Sequence, residues 1–212
     1  MGLGQNISGR RNGNSAYAKK YQRSFRKHVF TLLKLGYDLL NTSHLVNEEE
    51  PAITGDLVQS MNKIMRQPDH PQWMYNLAIH DDPPLNTTLR RGKARPRADL
   101  TIEQTGNPVR WEFTFEAKRF YKNSMIPKYL GSNGLGMFLS GIYAPDSQEV
   151  GMLGYVQVRD TGHWQTELFK RMKDNNPQSK TLADNLPGFS TQHQRKNNGR
   201  IFTVYHALLS MK

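Results

Sequence analysis

The chain has 212 residues and a mass of 24.4 kDa, with 29 Lys and Arg against 18 Asp and Glu, a formal net charge of +11 and a pI near 9.9. A hydrophobic fraction of 36% supports a packed core and argues against a wholly disordered chain. The lack of cysteine excludes disulfide scaffolds, Cys-ligated zinc, iron–sulfur clusters and thiol nucleophiles.

No apolar run approaches the roughly 20 residues that cross a bilayer; the best candidate, 30 to 40, is broken by Lys34 and Asp38. The first residues carry no signal-peptide hydrophobic region, and Asn6 breaks the myristoylation pattern. The expectation is a cytoplasmic protein without a membrane partner. No acidic residue precedes Asp38, whereas Arg10, Arg11, Lys19, Lys20, Arg23, Arg26, Lys27 and Lys34 all do. Arg90, Arg91, Lys93, Arg95 and Arg97 form a second basic cluster without a carboxylate among them. Clustered cations release counterions from polyanions, so nucleic acid is the expected partner.

Along the chain, 1–14 is rich in Gly, Asn and Ser and reads as a flexible basic arm; 15–212 reads as a single domain. From Ser15 the periodicity becomes helical, with Tyr17, Tyr21, Phe25, Val29, Leu32 and Leu33 near one face, and Gly36 is placed to end or bend that helix. A second helix is expected over about 48–65, capped by Asn47 with Glu50 at the capping-box position and Pro51 in the first turn. Residues 73–79 read as a short strand or an extended turn, and 81–97 as a loop.

The period then changes to two. Leu100 and Ile102 alternate with Asp99, Thr101 and Glu103; after the turn residues 105–108, Val109, Trp111, Phe113, Phe115 and Ala117 alternate with Arg110, Glu112, Thr114, Glu116 and Lys118. This pattern predicts an antiparallel hairpin with an apolar core face and an open polar face. Further on, 126–143 reads as a glycine-interrupted loop followed by a helix, 150–158 as a buried strand, 164–173 as an amphipathic helix, 174–199 as polar loop and 201–209 as a last strand or helix. The expected fold class is mixed α/β.

Glu116 and Lys118 lie two apart on one strand and project together. A hairpin closing through 105–108 brings Asp99 level with Glu116, where cross-strand neighbours are about 5 Å apart and two carboxylates can share a hard divalent cation. Such an ion can bind a scissile phosphate and acidify a water, and Lys118 can orient that water or stabilise developing negative charge.

With those residues in place, Arg97-Ala98-Asp99-Leu100 followed by Glu116-Ala117-Lys118 resembles the PD-(D/E)XK nuclease superfamily, the restriction-endonuclease-like fold. The resemblance spans about 48–160, is concentrated in 97–120, and departs at Ala98, where the motif's name has proline. It implies a four- to five-stranded mixed sheet flanked by helices, Mg²⁺ with Mn²⁺ as a substitute, and phosphodiester hydrolysis. It also implies an upstream helical acid, for which Glu49 and Glu50 both qualify. On the resemblance alone the substrate is DNA rather than RNA, the enzyme an endonuclease of restriction or phage defence, and a homodimer would cut both strands. Arg90, Arg91, Lys93, Arg95, Arg97, Arg119 and Lys128 are the candidate nucleic-acid contacts, and Tyr129, Ser132 and Asn133 lie close enough in sequence to join them. The competing reading is a non-catalytic nucleic-acid-binding protein whose hairpin charges are incidental. The seven histidines show no metal-site spacing, and His206, in an apolar run, reads as a core or interface residue.

Overall fold

A computed structural model describes residues 11–84, 95–106 and 111–212, the side chains of 11–17 excepted. Arg90, Arg91 and Lys93, the arm to residue 10, and the turn and strand residues 107–110 lie outside the described residues. Helices flank a mixed seven-stranded sheet of order β1-β2-β3-β4-β7-β6-β5, larger than the four or five strands implied by the resemblance.

Helix α1 (Arg11–Leu39) buries Phe25, Val29, Leu32 and Leu33, the heptad-like stripe legible in the sequence. Gly36 does not end it. A Cβ there would stand 2.3 Å from Met61 Cγ and 3.2 Å from the Met61 nitrogen, so the missing side chain lets the backbone of α2 (Glu50–Met65) approach. The N-cap of α2 is Glu49 rather than Asn47, with no side-chain cap bond, and Pro51 occupies its first turn. A single turn of 3₁₀ helix, Gln72–Asn76, precedes β1 (Leu77–Asp81), resolving the ambiguous segment before the basic loop.

Strand β1 pairs antiparallel with β2 (Leu100–Gln104), and β2 antiparallel with β3 (Trp111–Phe120). The hairpin is therefore present. Strand β3 then pairs in parallel with β4 (Glu149–Val156), reached through the short helices α3 (Met125–Leu130) and α4 (Leu135–Leu139). After α5 (Thr161–Arg171), whose N-cap Asp160 accepts the His163 N–H at 2.7 Å, the chain forms β5 (Gln178–Ala183), β6 (Leu186–Gln194) and β7 (Ile201–Ser210). β7 lies parallel to β4 and antiparallel to β6.

The expected polar loop at 174–199 thus contains two strands. β5 is an edge strand with four exposed residues in succession, and β6 buries Ser190, Thr191 and His193 where apolar residues would have advertised a strand. Thr191 and His193 are satisfied internally: Thr191 Oγ1 lies 2.8 Å from both His193 Nε2 and His206 Nε2, and His206 Nδ1 lies 2.9 Å from Tyr129 Oη. His206 is a core residue. Tyr129, fully buried in the same network, faces the interior instead of a substrate.

One core lies between the sheet and α1 and α2, where Phe30 meets Phe113 and Phe115 edge-on; a second lies beneath α3, α4 and α5 around Phe120, Trp164 and Phe189. Both faces of β3 are consequently covered, and Thr101, Thr114 and Glu116 of the supposedly open polar face are each 5% exposed or less. An isolated hairpin would have left that face to water; a third strand inside a seven-stranded sheet does not.

Candidate active site on the β2–β3 pair

Pairing of Leu100 with Phe115 sets Asp99, one residue earlier, level with Glu116. Asp99 Oδ2 accepts the Ala117 N–H at 2.6 Å, which turns its carboxylate toward the Glu116 side chain. Lys118 Nζ donates to Glu116 Oε1 at 2.8 Å and to the Ala117 carbonyl at 2.6 Å, and stands 3.5 Å from Glu50 Oε1. Glu50 Oε2 accepts the Arg119 N–H at 2.8 Å, so the first turn of α2 is tied to β3 beside the triplet. Three acids from a helix and two strands surround one ammonium.

Charge and burial conflict there. Burial first, then repulsion from Asp99, pushes the Glu116 carboxyl up to about 8 against the pull of Lys118. Asp99 is also raised, chiefly by burial, with the Ala117 N–H and Lys118 opposing. Burial works against the Lys118 ammonium, yet Glu116 and Glu50 outweigh it and hold its pKa above the ordinary lysine value. Glu116 Oε2 is buried and has no hydrogen-bond partner among the described residues. An orphaned carboxylate oxygen beside a second carboxylate is costly unless a proton or a cation sits between them.

The cleft over this cluster measures about 540 Å³ and is lined by Glu50, Lys118, Arg119, Tyr121, Lys128 and Asn133 among others. Asp99 and Glu116 are not part of its wall, whereas Lys118 is. Glu49 and Glu50 have separate surroundings. The Glu49 side chain is 75% exposed and pairs with the Arg119 guanidinium, whereas Glu50 alone approaches Lys118. Arg119 also donates to the Glu48 carbonyl at 2.9 Å, which commits its head group to the start of α2. Arg97 donates to Asp82 at 2.5 Å at the exposed rim, and Arg95 has an interaction partner of its own. Lys128 and Ser132 are exposed on the cleft wall.

Three supporting residues gave no signal in the sequence, because each acts through a distant carbonyl or hydroxyl. Gln157, 3% exposed, donates to the carbonyls of Leu45 at 2.9 Å and Glu48 at 2.8 Å, fixing the segment that delivers Glu50. Tyr143 Oη donates to the Arg97 carbonyl, holding the strand entrance two residues before Asp99. Arg195, 2% exposed, donates to Phe138, Ala144 and Ser147 carbonyls at 2.6 to 2.8 Å and so braces the loop that carries Tyr143.

The donor set suits a hard cation: carboxylate oxygens only, one of them orphaned and buried. Among the described residues, no three His, Asp or Glu side chains already converge as a metal cage, because Lys118 fills the space between Glu116 and Glu50. Asp99 and Glu116 thus offer the donor chemistry of a two-carboxylate site, with Lys118 bonded to one of them. Among the described residues no helix is long and apolar enough to cross a membrane. Compared with known proteins, the chain gives no significant match to any protein-family model, curated protein or solved structure.

Proposed function

We propose that this protein is a divalent-metal-dependent nuclease with a restriction-endonuclease-like core, hydrolysing phosphodiester bonds of DNA as an endonuclease. The observation that carries the reading is the meeting of Asp99 and Glu116 across β2 and β3, with the Lys118 ammonium 2.8 Å from Glu116. The order of elements supports it: an acid-bearing helix, an antiparallel three-stranded meander holding the aspartate and the Glu-x-Lys triplet, then a helical crossover to a parallel strand.

Asp99 and Glu116 would hold Mg²⁺, with Mn²⁺ as a substitute, and Glu50 closes the acidic site from the helix side. When bound, the ion supplies charge for the scissile phosphate and a lowered pKa for water. Glu116 would hold the ion as a carboxylate, so it would have to lose its proton, and its oxygen would give up the 2.8 Å contact with Lys118. Released from Glu116, Lys118 can donate to the attacking water or to the oxygen that gains charge at phosphorus. Ala117 holds Asp99 in place through its N–H, so the first ligand needs no rearrangement. A dimer would pair two such sites on opposite strands, and a cytoplasmic role in restriction or phage defence follows by analogy of fold alone.

A second reading has one observation in its favour. Lys118 already neutralises Glu116 and Glu50, as a structural ion pair in a non-catalytic nucleic-acid-binding protein would. Digestion of supercoiled and linear DNA, and of RNA, with Mg²⁺, Mn²⁺ or EDTA separates the two. The nuclease cuts with either metal, stops in EDTA, and is silenced by Lys118→Ala. A protein that binds DNA but cuts nothing under any of these conditions is the binder.

A further inference from the structure

We infer that the outer face of the N-terminal half of α1 is a second nucleic-acid contact, where Lys19, Lys20, Arg23 and Lys27 grip the phosphate backbone of a duplex away from the cleft. All four side chains are exposed. At 100° per residue they fall within an arc of about 100°, and at 1.5 Å per residue they span about 12 Å of the helix. None is within ion-pair distance of a described acid, although Arg23 is near enough to Glu149 to favour its carboxylate, and Arg26 is bonded to Glu149 and Lys34 to Asp38 on the same helix. A solvated helix face ordinarily intersperses charges of both signs; this one carries a single sign and no acid.

The stripe lies at the far end of the molecule from the acids. Tyr21 packs against Trp111 at the start of β3, with ring centroids 6.0 Å apart, whereas Lys118 stands near the end of that strand. Seven residues of strand separate Trp111 from Lys118, about 23 Å.

Among the described residues of the cleft wall, Lys128 is exposed, but the two cations beside the acids are already paired. Lys118 is held by Glu116 and Glu50, and Arg119 by Glu49, next to an acid pair that repels phosphate. Further attraction for a polyanion is supplied by α1. Contact here requires no hydrolysis, so it stands apart from the nuclease reading.

The test is duplex binding in EDTA, measured by anisotropy over a salt series with labelled DNA and RNA duplexes, and by sedimentation with phosphatidylserine vesicles. The variant replaces Lys19, Lys20, Arg23 and Lys27 by Gln; a control replaces exposed Arg159, Lys170, Arg171 and Lys173 by Gln, removing equal charge elsewhere. Four phosphate contacts contribute about 3.6 to the slope of log K against log salt, so the α1 variant loses that much slope and at least about tenfold in affinity, and the control does not. If the fourfold variant melts early, Lys20→Gln with Lys27→Gln must still lower the slope by about 1.8. The same losses are expected in a Lys118→Ala background, whether or not the protein is a nuclease. Equal losses in variant and control, an unchanged slope, or binding to vesicles without binding to duplex would overturn the inference. Preference for RNA over DNA duplex would keep the surface and change only the strand it holds.

Discussion

Asp99 accepts the Ala117 N–H at 2.6 Å, so the main chain of β3, rather than a third side chain, aims its carboxylate at Glu116. A backbone donor cannot swing away. The acid pair is thus set by the hairpin register, and its excess charge has to be met by a proton, by Lys118 or by a metal ion.

Stability should record which of these is present. The Glu116 carboxyl is raised from 4.5 to about 8 by burial and by Asp99. The folded protein then holds a proton that the unfolded chain releases, so without metal the Glu116 contribution to stability is fully present below pH 4.5 and is lost as pH rises through about 8. Thermal unfolding against pH checks this, and Glu116→Gln should flatten the fall. Added Mg²⁺ competes with the proton and should raise Tm more at high pH than at low.

Lys118→Ala removes the ammonium but leaves all three acids. Turnover should drop by about 10²–10³-fold, the size of effect seen when one donor to developing charge is lost. Duplex binding in EDTA should be largely preserved, since Lys118 is spent on Glu116 and Glu50. Single-turnover cleavage and anisotropy measured on the same preparation distinguish the two quantities.

The two adjacent glutamates at the start of α2 should behave differently. Glu50 receives the Arg119 N–H at 2.8 Å and faces Lys118, so Glu50→Gln should cost activity about 10- to 100-fold. Glu49 is 75% exposed, and its loss should leave cleavage unchanged and shift stability by no more than about 0.5 kcal/mol. Parallel cleavage assays decide between them.

Gly151→Ala probes the support beneath the site. A Cβ on Gly151 would lie 2.1 Å from Cδ1 of Phe115, the buried neighbour of Glu116 on β3. Overpacking there should destabilise by about 1–3 kcal/mol and, by displacing β3, weaken metal binding as well. Denaturant unfolding gives the first effect and calorimetry the second.

The hairpin and its acids were legible because period-two alternation with a turn between the strands fixes both faces and register at once. The 100–104 and 111–120 strands, the 149–156 strand and the two long helices all announce themselves by spacing. What stayed hidden depends on partners far away in sequence. Strands β5 and β6 bury Thr191 and His193 in a hydrogen-bond network that only His206 and Tyr129 complete. The polar face of the hairpin is shut by the α3–α4 crossover that leads from β3 to its parallel partner β4, which no local pattern records. Glu50 and Glu49 cannot be told apart by helical spacing when the cap itself lies two residues later than the capping-box pattern implies. Strand alternation placed Lys118 beside Glu116, and the structure adds that Lys118, unlike Asp99 and Glu116, lines the cleft.

Calorimetric titration with Mn²⁺ near neutral pH, repeated in buffers of different ionisation enthalpy, measures ion and proton together. One ion should bind per chain with release of about one proton from the acid pair, and Asp99→Asn or Glu116→Gln should abolish both. Failure of the wild-type protein to bind the ion, or binding that survives either substitution without proton release, would contradict a metal site at Asp99 and Glu116.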